Sequence, residues 1–75
     1  LMIDEYISRS EAKRLLFGLD KFREIILDFR KVKAIGQGFA DEVFRVFPRE
    51  NPGTVIKPVN ENQAIAQMIR HVVDK

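Results

Sequence analysis

The sequence predicts a small α/β domain with a short, mainly parallel sheet. Three segments with strand character alternate with three segments of helical periodicity, in the order βαβαβα. This alternation is typical of a parallel sheet with right-handed crossovers, in two or three layers. The 75 residues are 45% hydrophobic and 32% charged, the balance of a folded chain long enough for one core only. We therefore expect a single domain over residues 1–75.

The first strand and helix are predicted near the start of the chain. Residues 2–7 mix apolar and acidic side chains and suit a short strand. Ser8 and Glu11 have the spacing of a capping box, in which each side chain satisfies a backbone donor at a helix start. A helix should therefore begin there. Its apolar stripe consists of Ala12, Leu15, Leu16 and Leu19.

A second strand and helix flank a pair of glycines. Residues 24–29 read EIILDF, and their near-continuous hydrophobicity predicts a central strand covered on both faces. A basic connection leads to Gly36 and Gly38, which mark a tight change of backbone direction. Helical spacing then resumes, and Pro48 is expected to end this helix or to follow shortly after its end. Its apolar residues are Phe39, Ala40, Val43, Phe44, Val46 and Phe47.

The last strand and helix follow a predicted turn. Residues 51–53, Asn-Pro-Gly, indicate a type II turn with Gly53 at positive φ. Residues 54–59 then form a strand, which Pro58 places at an edge because proline cannot donate a ladder hydrogen bond. Asn60 and Gln63 repeat the capping spacing with amides. The final apolar stripe consists of Ile65, Met68, Ile69 and Val72.

Composition and charge indicate where the protein is located and which partners it is expected to bind. The absence of cysteine fits the cytoplasm, there is no signal peptide, and no apolar run approaches the ~20 residues that span a bilayer. The net charge of +2 is spread evenly and does not indicate direct nucleic-acid binding. The chain begins at Leu1 rather than Met, so we expect it to belong to a longer protein. Dimerisation or a neighbouring domain would supply stability that so short a chain lacks.

An enzyme is not expected. The sequence has no Ser/His/Asp set, no cysteine nucleophile and no metal-ligand spacing, so no cofactor or metal is predicted. The single histidine, His71, falls off the last apolar stripe and is expected to be solvated. Asp28 stands in an apolar strand, so we expect it at the strand's end or beside hydrogen-bond donors.

Two stretches carry a family resemblance, SRSEAKRLL at residues 8–16 and LDFRKVKAIGQGFADEVFRVF at residues 27–47. They resemble the bacterial STAS-like family of unknown function and, more distantly, the STAS domains of sulfate transporters and anti-sigma-factor antagonists. The resemblance implies a STAS-like fold and a regulatory, signalling role through protein contacts. It also implies a partner such as a kinase-type ATPase or a helix-turn-helix domain, in the same or another chain.

The antagonists carry a phosphorylatable Ser or Thr at the turn that aligns here with residues 35–38. That turn reads Ile-Gly-Gln-Gly, and no Ser or Thr occurs between Glu11 and Gly53. A phosphorylation switch is therefore not expected at this position. The surface that remains as a partner-binding site consists of Ile35, Gly36, Gln37, Gly38, Asp41, Glu42 and Arg45.

Three alternative surfaces are weighed against this one. The Gly36/Gly38 turn at a helix start suits a small anion or nucleotide sensor, although Asp41 and Glu42 would repel a phosphate. Its basic residues would be Arg30, Lys31 and Lys33. Phe44 lies on the flank of its apolar stripe and Phe17 falls well off the stripe of the first helix, so the two could form an exposed apolar patch for a partner. A basic stripe along the first helix would suit nucleic acid, but without interleaved aromatics it is better explained as solvated charge. The stripe consists of Arg9, Lys13, Arg14, Lys21 and Arg23.

Overall fold

The structure, a computed structural model that describes residues 5–6 and 8–74, contains four short strands in two parallel pairs within those residues. β1 (Glu5–Tyr6) pairs with β3 (Ala34–Ile35), and β2 (Glu24–Asp28) pairs with β4 (Val55–Val59). The predicted α/β class and the parallel pairing are confirmed. The rest of the first predicted strand, residues 2–4 and 7, lies outside the described residues.

β3 is a strand that the sequence did not predict, because it lies within the basic connection before the glycines. It has only two residues, too few to show the alternation that marks a strand. Its pairing is tertiary, with Glu5 opposite Ala34 and Tyr6 opposite Ile35. The observed order is therefore β1, α1 (Arg9–Leu16), β2, β3, α2 (residues 37–50), β4 and α3 (Gln63–Val73), rather than a strict alternation.

The prediction of a central strand covered on both faces is wrong for β2. Ile25 and Leu27 are buried, while Ile26 between them is 60% exposed. Within the described residues β2 pairs with β4 alone. The continuous hydrophobic run therefore conceals an alternating strand with one open face.

α1 (Arg9–Leu16) begins where the capping box predicts. The Glu11 backbone N–H donates to Ser8 Oγ (3.2 Å), and the Ser8 backbone N–H donates to Glu11 Oε1 (2.8 Å). The helix ends earlier than the apolar stripe indicates, because Gly18 adopts φ +79 and turns the chain. The last residue of the stripe consequently lies in a 3₁₀ turn, Leu19–Lys21, where it still packs against the core.

α2 is one continuous helical segment of residues 37–50. It is α-helical over Gln37–Asp41, π-helical over Glu42–Val46 and α-helical again over Phe47–Glu50. The prediction that Pro48 ends this helix is wrong, since the helix continues to Glu50.

The π turn explains how α2 accommodates Pro48. In a regular α-helix the ring of a proline collides with the carbonyl four residues earlier, which here belongs to Phe44. Immediately before the proline, the Phe47 backbone N–H donates to the carbonyl of Glu42, five residues back. This wider turn changes the hydrogen-bond register at the residue before the proline, so the helix can continue beyond Pro48.

The turn at residues 51–54 and the following strand agree with the sequence in position. The Thr54 backbone N–H donates to the Asn51 carbonyl (2.9 Å), which closes the turn. Gly53 does not have a positive φ, so the predicted type II geometry is wrong. Pro58 lies opposite Leu27, in a strand whose described pairing is on one side only, as the edge prediction requires.

α3 (Gln63–Val73) is capped by Asn62 rather than by Asn60. Asn62 Oδ1 accepts a hydrogen bond from the Ile65 backbone N–H (2.8 Å), and Asn62 Nδ2 donates to the Lys33 carbonyl (2.9 Å). Asn60 instead has φ +58 and belongs to the turn that leaves β4. One asparagine therefore starts the helix and fastens it to the segment before β3.

The core forms where α1 and α3 pack against α2. The largest side chains that are almost fully buried are Phe39, Val43, Ile65 and Val72, from α2 and α3. The three predicted apolar stripes supply most of the buried residues, while Leu15, Leu19, Phe44, Met68 and Ile69 are partly buried against them. None of the helices that the structure describes is both long enough and apolar enough to cross a membrane.

We expect Asn62→Ala to destabilise the fold by about 1–2 kcal/mol, since it removes a helix cap and a hydrogen bond to the Lys33 carbonyl. Urea unfolding followed by circular dichroism measures the change. Gln67→Ala, at an exposed position within α3, is the control and should stay within about 0.5 kcal/mol of wild type. Equal stability of the two variants would contradict the assigned role of Asn62.

Candidate functional site

The predicted turn lies where the start of α1 packs on the start of α2. Gly36 is the N-cap of α2 and has ordinary extended backbone, so its conformation does not require glycine. Gly38 faces α1, and a Cβ built on it would lie 3.4 Å from the Arg9 backbone nitrogen. The start of α1 therefore lies directly beside the start of α2 at Gly38.

This approach brings Arg9 into contact with two carboxylates of α2. Arg9 Nη1 donates to Glu42 Oε1 (2.9 Å), and Arg9 Nη2 donates to Asp41 Oδ2 (2.9 Å). Arg45, one turn further along α2, donates through Nε to Asp41 Oδ1 and through Nη2 to Asp41 Oδ2 (2.9 Å). Asp41 is therefore held by two guanidinium groups, one from each helix.

The arginines determine the electrostatics of the cluster. Hydrogen bonds from Arg45, and then from Arg9, hold the pKa of the Asp41 carboxyl well below its usual range. Hydrogen bonds to Glu42 and Asp41 raise the pKa of Arg9, and the bond to Asp41 raises that of Arg45. Asp41 consequently stays ionised at any physiological pH.

An open groove of about 550 Å³ lies beside these ion pairs. It is lined by Arg9, Gln37, Gly38, Asp41, Arg45 and Arg49. Four of these residues recur at every fourth position of α2 and form one row: Gln37, Asp41, Arg45 and Arg49. In a regular α-helix, residues four apart are rotated by about 40° around the helix axis, so a row of this period would drift around the helix. The π turn of α2 holds more residues per turn and so reduces this drift.

The structure brings most of the predicted partner-binding residues to this groove. Gln37, Gly38, Asp41 and Arg45 line it directly. Ile35 does not contribute to the surface, because its side chain belongs to the core. Glu42 is also buried, where its carboxylate accepts the hydrogen bond from Arg9.

The basic residues predicted for an anion site lie elsewhere. Arg30, Lys31 and Lys33 are exposed in the segment before β3, whereas Gly36 follows that strand. The arginines that line the groove are Arg9, Arg45 and Arg49.

Sequence reasoning missed two residues of the groove. Arg9 was grouped with solvated charges of α1, and only the fold shows it beside residues more than 30 positions away. Arg49 could have been found from the row of polar residues spaced by four along α2. The proposed basic stripe is not continuous along α1, since Lys21 and Arg23 lie beyond its end.

Phe17 and Phe44 lie in different surroundings and do not form the patch envisaged from the sequence. Phe44 is partly buried, and its ring lies 6.5 Å from that of Phe29 between centroids. Phe17 is 88% exposed at the end of α1. It borders a second, smaller groove of about 210 Å³, lined by Lys13, Leu16, Phe17, Glu42, Phe47 and Glu50.

Asp28 and His71 have the surroundings that the sequence indicates. Asp28 ends β2, and its Oδ1 accepts hydrogen bonds from the Arg30 backbone N–H (2.9 Å) and from Asn60 Nδ2 (3.0 Å). These bonds, that of Asn60 first, lower the pKa of Asp28. His71 is exposed near the end of α3. Within the described part of the chain, His, Asp and Glu residues form no cluster that could hold a metal ion.

Comparison with known proteins yields one family. A model described as a STAS-like domain of unknown function (DUF4325) matches residues 11–66, about three quarters of the chain. Neither the curated proteins nor the solved structures contain a match.

Asp41→Asn should lower stability at neutral pH, because it removes the charge that ties Arg9 to Arg45. The folded-state pKa of Asp41 lies below the unfolded value of about 3.9, so its contribution is present above that pH and is lost as the pH falls. The stability difference between wild type and Asp41→Asn should therefore shrink below about pH 4. Urea unfolding across that pH range measures it.

Asp74→Asn is the control for this series. Asp74 is exposed beyond α3 and makes no ion pair within the described residues, so this variant should follow wild type at every pH. A difference between wild type and Asp41→Asn that stays constant down to pH 2 would contradict the stabilising role of the ionised Asp41 carboxylate.

Proposed function

The chain belongs to the family of STAS-like domains of unknown function, and on that premise we propose that it is a non-catalytic regulatory module that docks a protein partner. The docking surface is the turn and the first part of α2, residues 35–45, extended by Arg9 and Arg49. The partner classes that the STAS resemblance implies are a kinase-type ATPase or a helix-turn-helix domain, within the same protein or in another.

The observation that carries this proposal is the organised polar face of α2. The apolar side of the helix supplies the core, with Phe39 and Val43 fully buried. The opposite side presents Gln37 and Arg49, whose side chains make no ion pair or hydrogen bond within the part of the chain that the structure describes. Their polar groups are available to another molecule.

The face is also held rigid before a partner arrives. Asp41 binds Arg9 and Arg45 through three hydrogen bonds, while both arginine side chains stay partly exposed. Binding to side chains that are already ordered costs less conformational entropy than binding to free ones. This arrangement therefore favours binding of a partner to the polar face of α2.

The same chemistry argues against catalysis in the groove. Arginine does not give up its proton in proteins and so cannot act as a general base. Asp41 has both oxygens occupied by arginines and a lowered pKa, which suits it neither to accept nor to deliver a proton near neutral pH. The groove residues can hold a ligand and leave its bonds unchanged.

A sensor of a small anion or nucleotide at the Gly36/Gly38 turn is the alternative. Its predicted cations, Arg30, Lys31 and Lys33, precede β3 in the chain and do not line the groove beside Gly38. The anion-binding capacity near Gly38 rests instead on Arg9 and Arg45, which already hold Asp41. This arrangement gives the sensor less support than the docking surface.

The docking surface can be tested by site-specific photo-cross-linking in an extract of the source cells. A photoreactive amino acid at Gln37 should form a discrete protein adduct. The same amino acid at Gln67, an exposed glutamine on α3, should not. The absence of an adduct at position 37, or equal adducts at both positions, would contradict the proposed docking surface.

A further inference from the structure

We infer that the arginine groove recognises an acidic segment of the partner protein, whose carboxylates bind Arg9, Arg45 and Arg49. This inference rests on the proposed docking function and specifies the chemistry of the partner. It concerns the 550 Å³ groove between the start of α1 and the polar face of α2.

The charge of the groove favours an anionic occupant. Its lining has three guanidinium groups and one carboxylate, Asp41, and the Glu42 carboxylate lies 2.9 Å from Arg9, so the cations of the cluster exceed its anions by one. Glu42 does not line this groove, and its carboxylate is bound to Arg9 in a buried position. The acidic residues that the sequence analysis expected to repel an anion are thus already paired.

Many of the arginine donors remain available. A guanidinium group has five N–H donors. Arg9 uses two of these donors in hydrogen bonds to Glu42 and Asp41, and Arg45 uses two in hydrogen bonds to Asp41. Each therefore retains three donors, and Arg49 forms no ion pair within the described residues. Carboxylates are well matched to such donors because they accept two parallel N–H bonds from one guanidinium.

The layout of the cations favours a segment over a single small anion. Arg45 and Arg49 are four residues apart on α2, about 6 Å along the helix axis. Alternate side chains of an extended peptide recur about every 7 Å, so successive acidic residues can face successive arginines.

A fluorescein-labelled peptide with glutamate at alternate positions tests the inference, with its glutamine counterpart as the matched probe. Fluorescence anisotropy should show that wild type binds the glutamate peptide and not the glutamine peptide. Binding should weaken with added salt, which screens exposed charges.

Arg49→Gln should weaken binding of the glutamate peptide about tenfold, the effect of losing one charge-assisted hydrogen bond worth about 1.4 kcal/mol. This variant should fold normally, because Arg49 is exposed and makes no ion pair in the described structure. Arg70→Gln, an exposed arginine of α3, is the control and should bind as wild type does.

Three results would overturn the inference: equal binding of the two peptides, equal effects of Arg49→Gln and Arg70→Gln, or displacement of the peptide by micromolar inorganic phosphate. The last would assign the groove to a small anion. Cross-linking from Gln37 in the Arg49→Gln background separates this inference from the docking function. Adducts that persist there, together with a failure of the glutamate peptide to bind, would overturn the acidic segment and leave the docking surface in place.

Discussion

The packing of α1 on α2 beside Gly38 is the interaction on which both the core and the groove depend. A Cβ at this position would lie 3.4 Å from the Arg9 backbone nitrogen, in van der Waals contact, so the two helix backbones lie close together here. Ala12 on α1 and Ala40 on α2 are both fully buried, and their small side chains are compatible with such packing. The same distance lets the Arg9 guanidinium reach Asp41 and Glu42. Packing and charge are therefore organised by one contact.

Most of the fold could be predicted because its signals are local. The capping box at Ser8 and the apolar stripes lie within single helices, and both depend on residues three or four positions apart. The errors in β3 and in the cap of α3 arise where a residue distant in sequence determines the local structure. β3 exists because β1 pairs with it, and Asn62 rather than Asn60 caps α3, where its amide also reaches the Lys33 carbonyl. The predicted helix end at Pro48 is wrong because the preceding π turn alters the i to i−4 hydrogen-bond register that a proline normally interrupts.

The candidate site was predictable only in part, for a related reason. The turn and the start of α2 are contiguous in sequence, so Gln37, Gly38, Asp41 and Arg45 could be proposed together. Arg9 arrives from another helix, and its ion pairs reverse the expected effect of the acidic residues. Taken alone, Asp41 and Glu42 make the helix start hostile to anions. With Arg9 and Arg45 in place, Asp41 becomes the support that orients two cations.

The π turn of α2 has a consequence for recognising the same groove in other members of this family. Polar residues at every fourth position, here Q-x-x-x-D-x-x-x-R-x-x-x-R, run beside apolar residues at the same interval, F-x-x-x-V-x-x-x-F. In a regular α-helix, both rows would rotate gradually around the helix axis. The π turn has more residues per turn, so each row stays on one face of the helix. A family member that combines this four-residue period with a proline after the second Phe is thus expected to present a comparable row of side chains. One that spaces its apolar residues alternately by three and four is expected to present a different surface.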